Sequence, residues 1–266
     1  MSDRFAFCVG GILSADIAVP EHEREARFYA RVLCTGERPL WREDLKNSLG
    51  VPIIGLGARS PEYADLPLQW MPHIQVADVA ASVERALDLG GSALMHGKDS
   101  EGRSQWAVLL DPDGAAFGIV PVVAAEEFPA AEEGASSDGL TGVGRISWID
   151  LTVADAAATR DFYREVVGWS VRDVAMEDAA GTRYADYTLL DEDGHPAAGI
   201  RHARGANRDL PPVWLIHLPV GDLAESLRRV RDGGGKVLAS TPSMAGEPAK
   251  AAIQDPLGAC LALVQG

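Results

Sequence analysis

The sequence is short of positive charge. Its 24 lysines and arginines stand against 39 aspartates and glutamates, a formal net charge of −15 at pH 7. A phosphate backbone requires a basic surface and an anionic bilayer favours one, so neither nucleic acid nor a membrane is an expected partner. Long apolar runs are missing too, and none approaches the roughly 18 residues of a membrane span. The stretch from Met1 to Leu13 lacks a basic start followed by an apolar run, so it does not read as a secretory leader. Cysteine is scarce. Cys8, Cys34 and Cys260 are odd in number and have no metal-ligand spacing, which suits reduced, buried thiols in the cytoplasm. Gly233-Gly234-Gly235 follows a helical stretch rather than preceding one, so it is not a phosphate cradle. A P-loop, a Gly-x-Ser-x-Gly nucleophile elbow, a zinc-protease helix and any flavin or haem motif are all lacking, and no cofactor is expected. These absences read as a cytoplasmic protein. At 266 residues, two domains are expected.

The chain repeats itself. Phe28-Tyr29 recurs as Phe162-Tyr163, an offset of 162 − 28 = 134, and Asp16-Ile17-Ala18-Val19 recurs as Asp150-Leu151-Thr152-Val153 at the same offset. Trp70-x-x-His73-x-x-Val76-x-Asp78 recurs as Trp214-x-x-His217-x-x-Val220-x-Asp222, an offset of 214 − 70 = 144. That second offset also carries Gly90-Gly91 onto Gly234-Gly235, and Asp111-Pro112-x-Gly114-Ala115 onto Asp255-Pro256-x-Gly258-Ala259. Two constant offsets imply one insertion between the Phe-Tyr and the Trp, read as a longer β-hairpin across Met176 to Gly194 in the second copy. A period near 140 marks duplicated domains rather than a solenoid. The copies span 5–122 and 143–266. Residues 123–142, rich in Ala, Glu, Gly and Ser, read as a linker.

Each copy reads as two βαβββ halves, an α+β class. An alternating strand leads into a helix beginning near Pro20 or Asp155, and Asp is a natural cap. Phe28, Tyr29, Val32 and Leu33 fall at helical spacing. The second half opens on Trp70 or Trp214. Its helix starts at Asp78 or Asp222 and stops at the glycine pair, and an Asp-Pro-x-Gly turn joins the last two strands.

The strand followed by Asp-x-x-x-x-x-x-Phe-Tyr, the Val-x-Asp of the second half and the closing Asp-Pro-x-Gly resemble the vicinal oxygen chelate superfamily of glyoxalases, extradiol dioxygenases and bleomycin-resistance proteins. Trp148-Ile149-Asp150-Leu151, Gly168-Trp169, Ala198-Gly199-Ile200 and Trp214 are similar to its two-domain, glyoxalase-like actinobacterial branch. The resemblance covers both copies and implies that each curls eight mixed strands into a cup, helices outside, with a small molecule bound on the concave face. It also implies where metal users of the superfamily place their ligands: His or Gln early in the first and fifth strands, and Glu in the last. Those positions hold Ser14, Met71 and Gly118 in the first copy, and Trp148, Leu215 and Ala262 in the second. No metal of that type is expected, because a catalytic site needs about three protein donors.

Side chains two residues apart on a strand share a face. If the former ligand positions face the cup, so do Asp16 and Asp150 on the first strands and His73 and His217 on the fifth. An Asp beside a His would fix its tautomer or favour its charged form, which suits acid–base catalysis on a small apolar substrate: isomerisation, cyclisation, dehydration or hydration. The same residues could instead brace the cup floor, and a bleomycin-resistance-type binder without turnover is the alternative. Trp148, Thr152, Tyr184 and Tyr187 in the second copy, and Ser14 and Gln75 in the first, are candidate substrate contacts. Trp148 could stack on a flat ligand or plug its cup. His195, Arg201, His202 and Arg204 cluster after the second copy's hairpin, as a solvated loop or a gate for an anion. The chain is expected to act as a monomer with an internal pseudo-dimer, or as a homodimer.

Overall fold

The computed structural model describes residues 7–33, 53–124, 146–242 and 248–266. The expected linker 123–142 and the shortened hairpin of the first copy lie largely outside the described residues. In the second copy the order is β7 (Trp148–Val153), α3 (Ala156–Val167), β8 (Ser170–Glu177), β9 (Arg183–Leu190) and β10 (Pro196–His202). Its second half follows as β11 (Trp214–Val220), α4 (Leu223–Asp232), β12 (Lys236–Pro242), β13 (Pro248–Gln254) and β14 (Cys260–Gln265), so βαβββ occurs twice. The first copy supplies β1 (Ile12–Val19), α1 (His22–Leu33) and β2 (Ile53–Ala58), then β3 (Met71–Val76), α2 (Val79–Asp88), β4 (Ser92–Lys98), β5 (Ser104–Leu110) and β6 (Ala116–Pro121). The class is α+β, with mixed sheets of six strands in the first copy and eight in the second. The first sheet therefore shows six rather than eight strands among the described residues.

Local chemistry sets these boundaries. Asp78, Asp155 and Asp222 each accept backbone N–H bonds at the start of α2, α3 and α4 (Ala81; Ala157 and Ala158; Glu225). These bonds satisfy donors that the first helical turn leaves open. The glycine pairs divide two tasks. Gly90 and Gly234 adopt φ of 88° and 89°, open to glycine at little cost. At Gly91 and Gly235 a Cβ would lie 2.7 Å from the carbonyls of Leu110 and Gln254, respectively, so no larger residue fits.

The chain divides into two compact units, and each takes one half from each copy. Unit 1 joins 71–125 to 149–214 (with 1–13), and unit 2 joins 14–70 to 215–266 (with 126–148). In unit 1, β3 runs parallel to β6, which continues antiparallel to β5 and β4. The second copy's half repeats the pattern: β7 lies parallel to β10, which continues to β9 and β8. Unit 2 pairs β1 with β2 and β11 with β14, both parallel, and β14 with β13 and β12 antiparallel.

The repeated motifs meet inside each unit. In unit 1, Trp214 Nε1 donates to Tyr163 Oη at 2.9 Å, and Tyr163 donates to Asp111 Oδ2 at 3.1 Å. In unit 2, Trp70 Nε1 donates to Tyr29 Oη at 3.3 Å, and Tyr29 donates to Asp255 Oδ2 at 2.7 Å. The other carboxylate oxygen of each aspartate holds its Asp-Pro-x-Gly turn, through Asp113 and Ala115 or through Leu257, Gly258 and Ala259. Burial pushes Asp111 up to about 6, although the Ala115 N–H and the Tyr163 hydroxyl oppose it. Phe162 and Tyr163 stack edge-on against Phe117, so the Phe-Tyr pair of one copy packs on the last strand of the other. The Trp, Phe-Tyr and Asp-Pro-x-Gly signatures are thus framework residues.

Candidate functional site

Along β7 the side chains alternate. Ile149, Leu151 and Val153 are fully buried in the core, and Asp150 and Thr152 project to the other side yet remain buried. Asp150 Oδ1 lies 3.1 Å from Arg201 Nε on the neighbouring strand, an ion pair whose N–H is not aligned as a hydrogen bond. The register explains the pair: Asp150 stands opposite Gly199 and Thr152 opposite Arg201, so the guanidinium reaches one step diagonally over a strand bare at Gly199.

Beyond Arg201, β10 ends on His202. Its backbone N–H donates to Asp186 Oδ1 at 2.9 Å, and its Nδ1 lies 3.3 Å from the same oxygen. Asp186 is buried. Tyr184 meets the imidazole edge-on at a centroid distance of 5.5 Å, and Tyr187 lies at 6.5 Å. The Arg204 guanidinium covers Tyr184 at 4.7 Å, and Arg160 of α3 covers Tyr187 at 4.5 Å. Tyr187 is therefore on the helix-covered side, whereas Tyr184 is half-buried beneath an arginine that is itself exposed.

The other expected residues are placed as follows. His73 on β3 stands opposite Gly118 on β6, and a Cβ at Gly118 would overlap its imidazole ring. His217 on β11 is buried opposite Ala262, and its carbonyl accepts from the N–H and the hydroxyl of Ser147. Asp16 on β1 is half-buried opposite Gly55. Ser14 is buried, and Trp148 is half-buried at the start of β7. Gln75 is buried, with its amide engaged at both ends: Nε2 donates to Gly11 O and Oε1 accepts from Val123 N. Asp150, Thr152, Tyr184, Tyr187, His73 and Gln75 belong to unit 1; Asp16, His217, Ser14 and Trp148 belong to unit 2. Burial raises the Cys8 and Cys260 thiols to about 12 and about 11, which makes them poor nucleophiles.

The residues do not suit the metal that the fold family suggests. A glutamate at 118 would have to displace the His73 ring, and Met71, Leu215 and Ala262 offer no hard donor. No group of three or more His, Cys, Asp or Glu side chains is placed to hold a metal ion among the described residues. No helix among them is long and apolar enough to cross a membrane.

Sequence reasoning named Arg201 and His202 as a possible anion gate, but it missed Asp186 and the partners that the two residues find. The Arg-His dipeptide was visible, but its partners are two aspartates, one 16 residues from His202 and one 51 from Arg201. Only strand register brings them together.

Comparison with known proteins agrees with this architecture. Residues 145–263 match the family model described as the Glyoxalase/Bleomycin resistance protein/Dioxygenase superfamily, and residues 14–120 match that of a glyoxalase-like domain. The chain is 28% identical over 200 residues to the anthracycline biosynthesis protein DauV of Streptomyces sp. (strain C5), and the match spans 75% of this chain and 66% of the relative, just under two thirds. The corresponding protein DnrV of Streptomyces peucetius is 27% identical over the same shares. Among solved structures, 2,2',3-trihydroxybiphenyl 1,2-dioxygenase of Sphingomonas wittichii superposes with a TM-score of 0.53 at 17% identity, covering 98% of this chain and 91% of the other. Homoprotocatechuate 2,3-dioxygenase of B. fuscum gives 0.56 at 14% identity, covering 100% and 74%. These structural likenesses speak for the fold alone. With a family match in each copy and a shared fold along its length, the chain belongs to the glyoxalase, bleomycin-resistance and dioxygenase superfamily.

Proposed function

We propose that this protein is an enzyme of specialised metabolism that performs metal-independent acid–base chemistry on a small, substantially apolar molecule. The reaction class is isomerisation, cyclisation, dehydration or hydration. The observation that carries the reading is the ion pair of buried Asp150 with half-buried Arg201. Burying a charge is costly unless it is paired, and a fold that needed only packing would have no use for it. The first copy supports this, because Gly57 stands where the second has Arg201. The relatives named for anthracycline biosynthesis support the metabolic setting. Metal independence is supported by the lost donors and by the His73 ring packed against Gly118.

In this reading, the acid and the base are drawn from Asp150 and His73 in unit 1 and from Asp16 and His217 in unit 2. Trp148, Thr152, Tyr184, Ser14 and Gln75 shape the ligand's surroundings. The test begins with the small molecule that co-purifies from the native host, identified by mass spectrometry and returned to the pure protein in D2O. Deuterium should enter one carbon position, at a rate unaffected by a chelator and at least about 100-fold slower in Asp150→Asn or His217→Gln. A rate lost on chelation and restored by a divalent ion would remove the metal-independent reading. A tightly bound ligand recovered without deuterium would instead describe a binder of the bleomycin-resistance type.

A further inference from the structure

The side-chain bond between Asp186 and His202 is not needed for the strand it sits on. Asp186 already satisfies the backbone N–H of residue 202, and any amino acid could present that N–H. The first copy makes the comparison directly. Gly57-Ala58 stand opposite Ala18-Val19, the register in which Arg201-His202 stand opposite Thr152-Val153. Neither aligned position of the first copy carries a cation or an imidazole, and Arg59, one residue on, donates to the carbonyls of Ala18 and Leu66 instead, so the shared strand pairing does not require the Asp186–His202 bond.

Chemistry does explain it. A carboxylate can only accept, so a bond from Nδ1 to Asp186 fixes the proton on Nδ1 and leaves the lone pair on Nε2. Among the described residues Nε2 makes no hydrogen bond, and it is not one of the buried unpartnered atoms, so it reaches solvent. An aspartate orienting a histidine whose far nitrogen is free is the arrangement of a general base. Its surroundings suit a flat ligand: Tyr184 presents an aromatic ring at 5.5 Å, with Arg204 stacked on it.

We infer that His202, oriented by Asp186, is a general base of the second copy for a flat aromatic or polyene substrate with an acidic carbon–hydrogen bond, and that Arg204 stabilises the anion formed. The inference rests on the acid–base reading above and deepens it. Nε2 takes the proton, and the electron pair of the broken C–H bond passes into the conjugated system as an enolate or phenolate. The imidazolium then returns the proton at a different atom, so the rearrangement needs no oxidant or co-reactant. Asp186 acts as a positioning residue.

The test uses the full chain and 5-nitrobenzisoxazole, a flat aromatic probe. Removal of its C3 proton drives N–O cleavage, giving a nitrile and a phenolate. The expected result is a saturable rate that falls about 30-fold or more in His202→Gln, and that returns with added imidazole in His202→Ala, the residue the first copy carries. Asp186→Asn should lower kcat more than it raises KM. In long-range 1H–15N spectra of the unmodified protein, His202 should carry its proton on Nδ1, and Asp186→Asn should abolish that preference. An Nε2–H tautomer in the unmodified protein, or a His202→Gln variant as fast as the parent, overturns the inference. If the deuterium exchange described above survives in His202→Gln but not in Asp150→Asn, this inference fails while the acid–base function stands. If the parent protein shows no exchange, the function fails, and the tautomer and the benzisoxazole rate still decide the role of His202.

Discussion

Unit 1 and unit 2 rest on the same Trp–Tyr–Asp relay, yet one residue beside it differs. In unit 1, Thr159 donates its hydroxyl to Asp113 at 2.8 Å, and α3 is closed by ordinary hydrogen bonds. In unit 2 the equivalent position is Glu25, fully buried on α1, with neither carboxyl oxygen hydrogen-bonded among the described residues. Burial, and then the nearby Asp255, raise Glu25 to about 7. The same duplicated scaffold thus carries a neutral hydroxyl at one site and a titratable carboxyl at the other. A duplicated fold conserves what holds the helices to the strands and leaves the neighbouring positions to diverge.

Removing the shared part should break both units alike and have the largest effect. Asp111→Ala leaves the Tyr163 hydroxyl and two turn N–H groups without their acceptor, and Asp255→Ala does the same to Tyr29 and three. Each should cost about 3–5 kcal/mol in urea unfolding, and a cost below about 1 kcal/mol in either would show that the relay is not what holds that unit. The difference between the units should appear next, as pH dependence. A folded state that holds the Glu25 proton more tightly than the unfolded chain is favoured at low pH. Its advantage declines as pH rises from the ordinary carboxylate range through about 7, and is then constant. Glu25→Gln should remove on the order of 2–3 kcal/mol of this slope between pH 5 and pH 8, read from thermal unfolding at each pH. An unchanged slope would place the proton elsewhere.

A smaller effect sharpens the comparison of the two copies. Gly118→Ala must displace the His73 ring and should cost about 1–3 kcal/mol, whereas the matching Ala262 already carries its methyl group. Equal tolerance of Gly118→Ala and of the parent residue, by denaturant midpoint, would mean that His73 moves freely. The helix caps come last. Asp155→Ala and Asp222→Ala should each cost about 1 kcal/mol, the same within error, because both accept first-turn N–H bonds.

Much of this framework was legible in the sequence because constant offsets expose repeated residues, and capping aspartates and glycine pairs act locally. The exchange of halves was not legible. Self-similarity shows that Tyr29 and Tyr163 are equivalent, but not that Tyr29 reaches Asp255, 226 residues away. Glu25 stands in a charge-rich helix start and carries no repeated signature. Its spacing from Phe28, Tyr29 and Val32 places it on the buried face, and that periodicity could have found it. The Asp186–His202 pair exists in one copy only, so a search for what repeats passes over it. The difference between the copies lies in what does not repeat.

The exchange of halves also sets an order of events during synthesis. When the ribosome has released the first copy, neither compact unit has both of its parts: residues 14–70 wait for 215–266, and residues 71–125 wait for 149–214. Unit 1 can close once Trp214 has emerged, while Phe28 waits for Gly233 and Gly235 and Tyr29 for Asp255. The earliest helix of the chain is therefore among the last to be buried, and the period between is when its apolar face is most open to chaperones or to a second nascent chain.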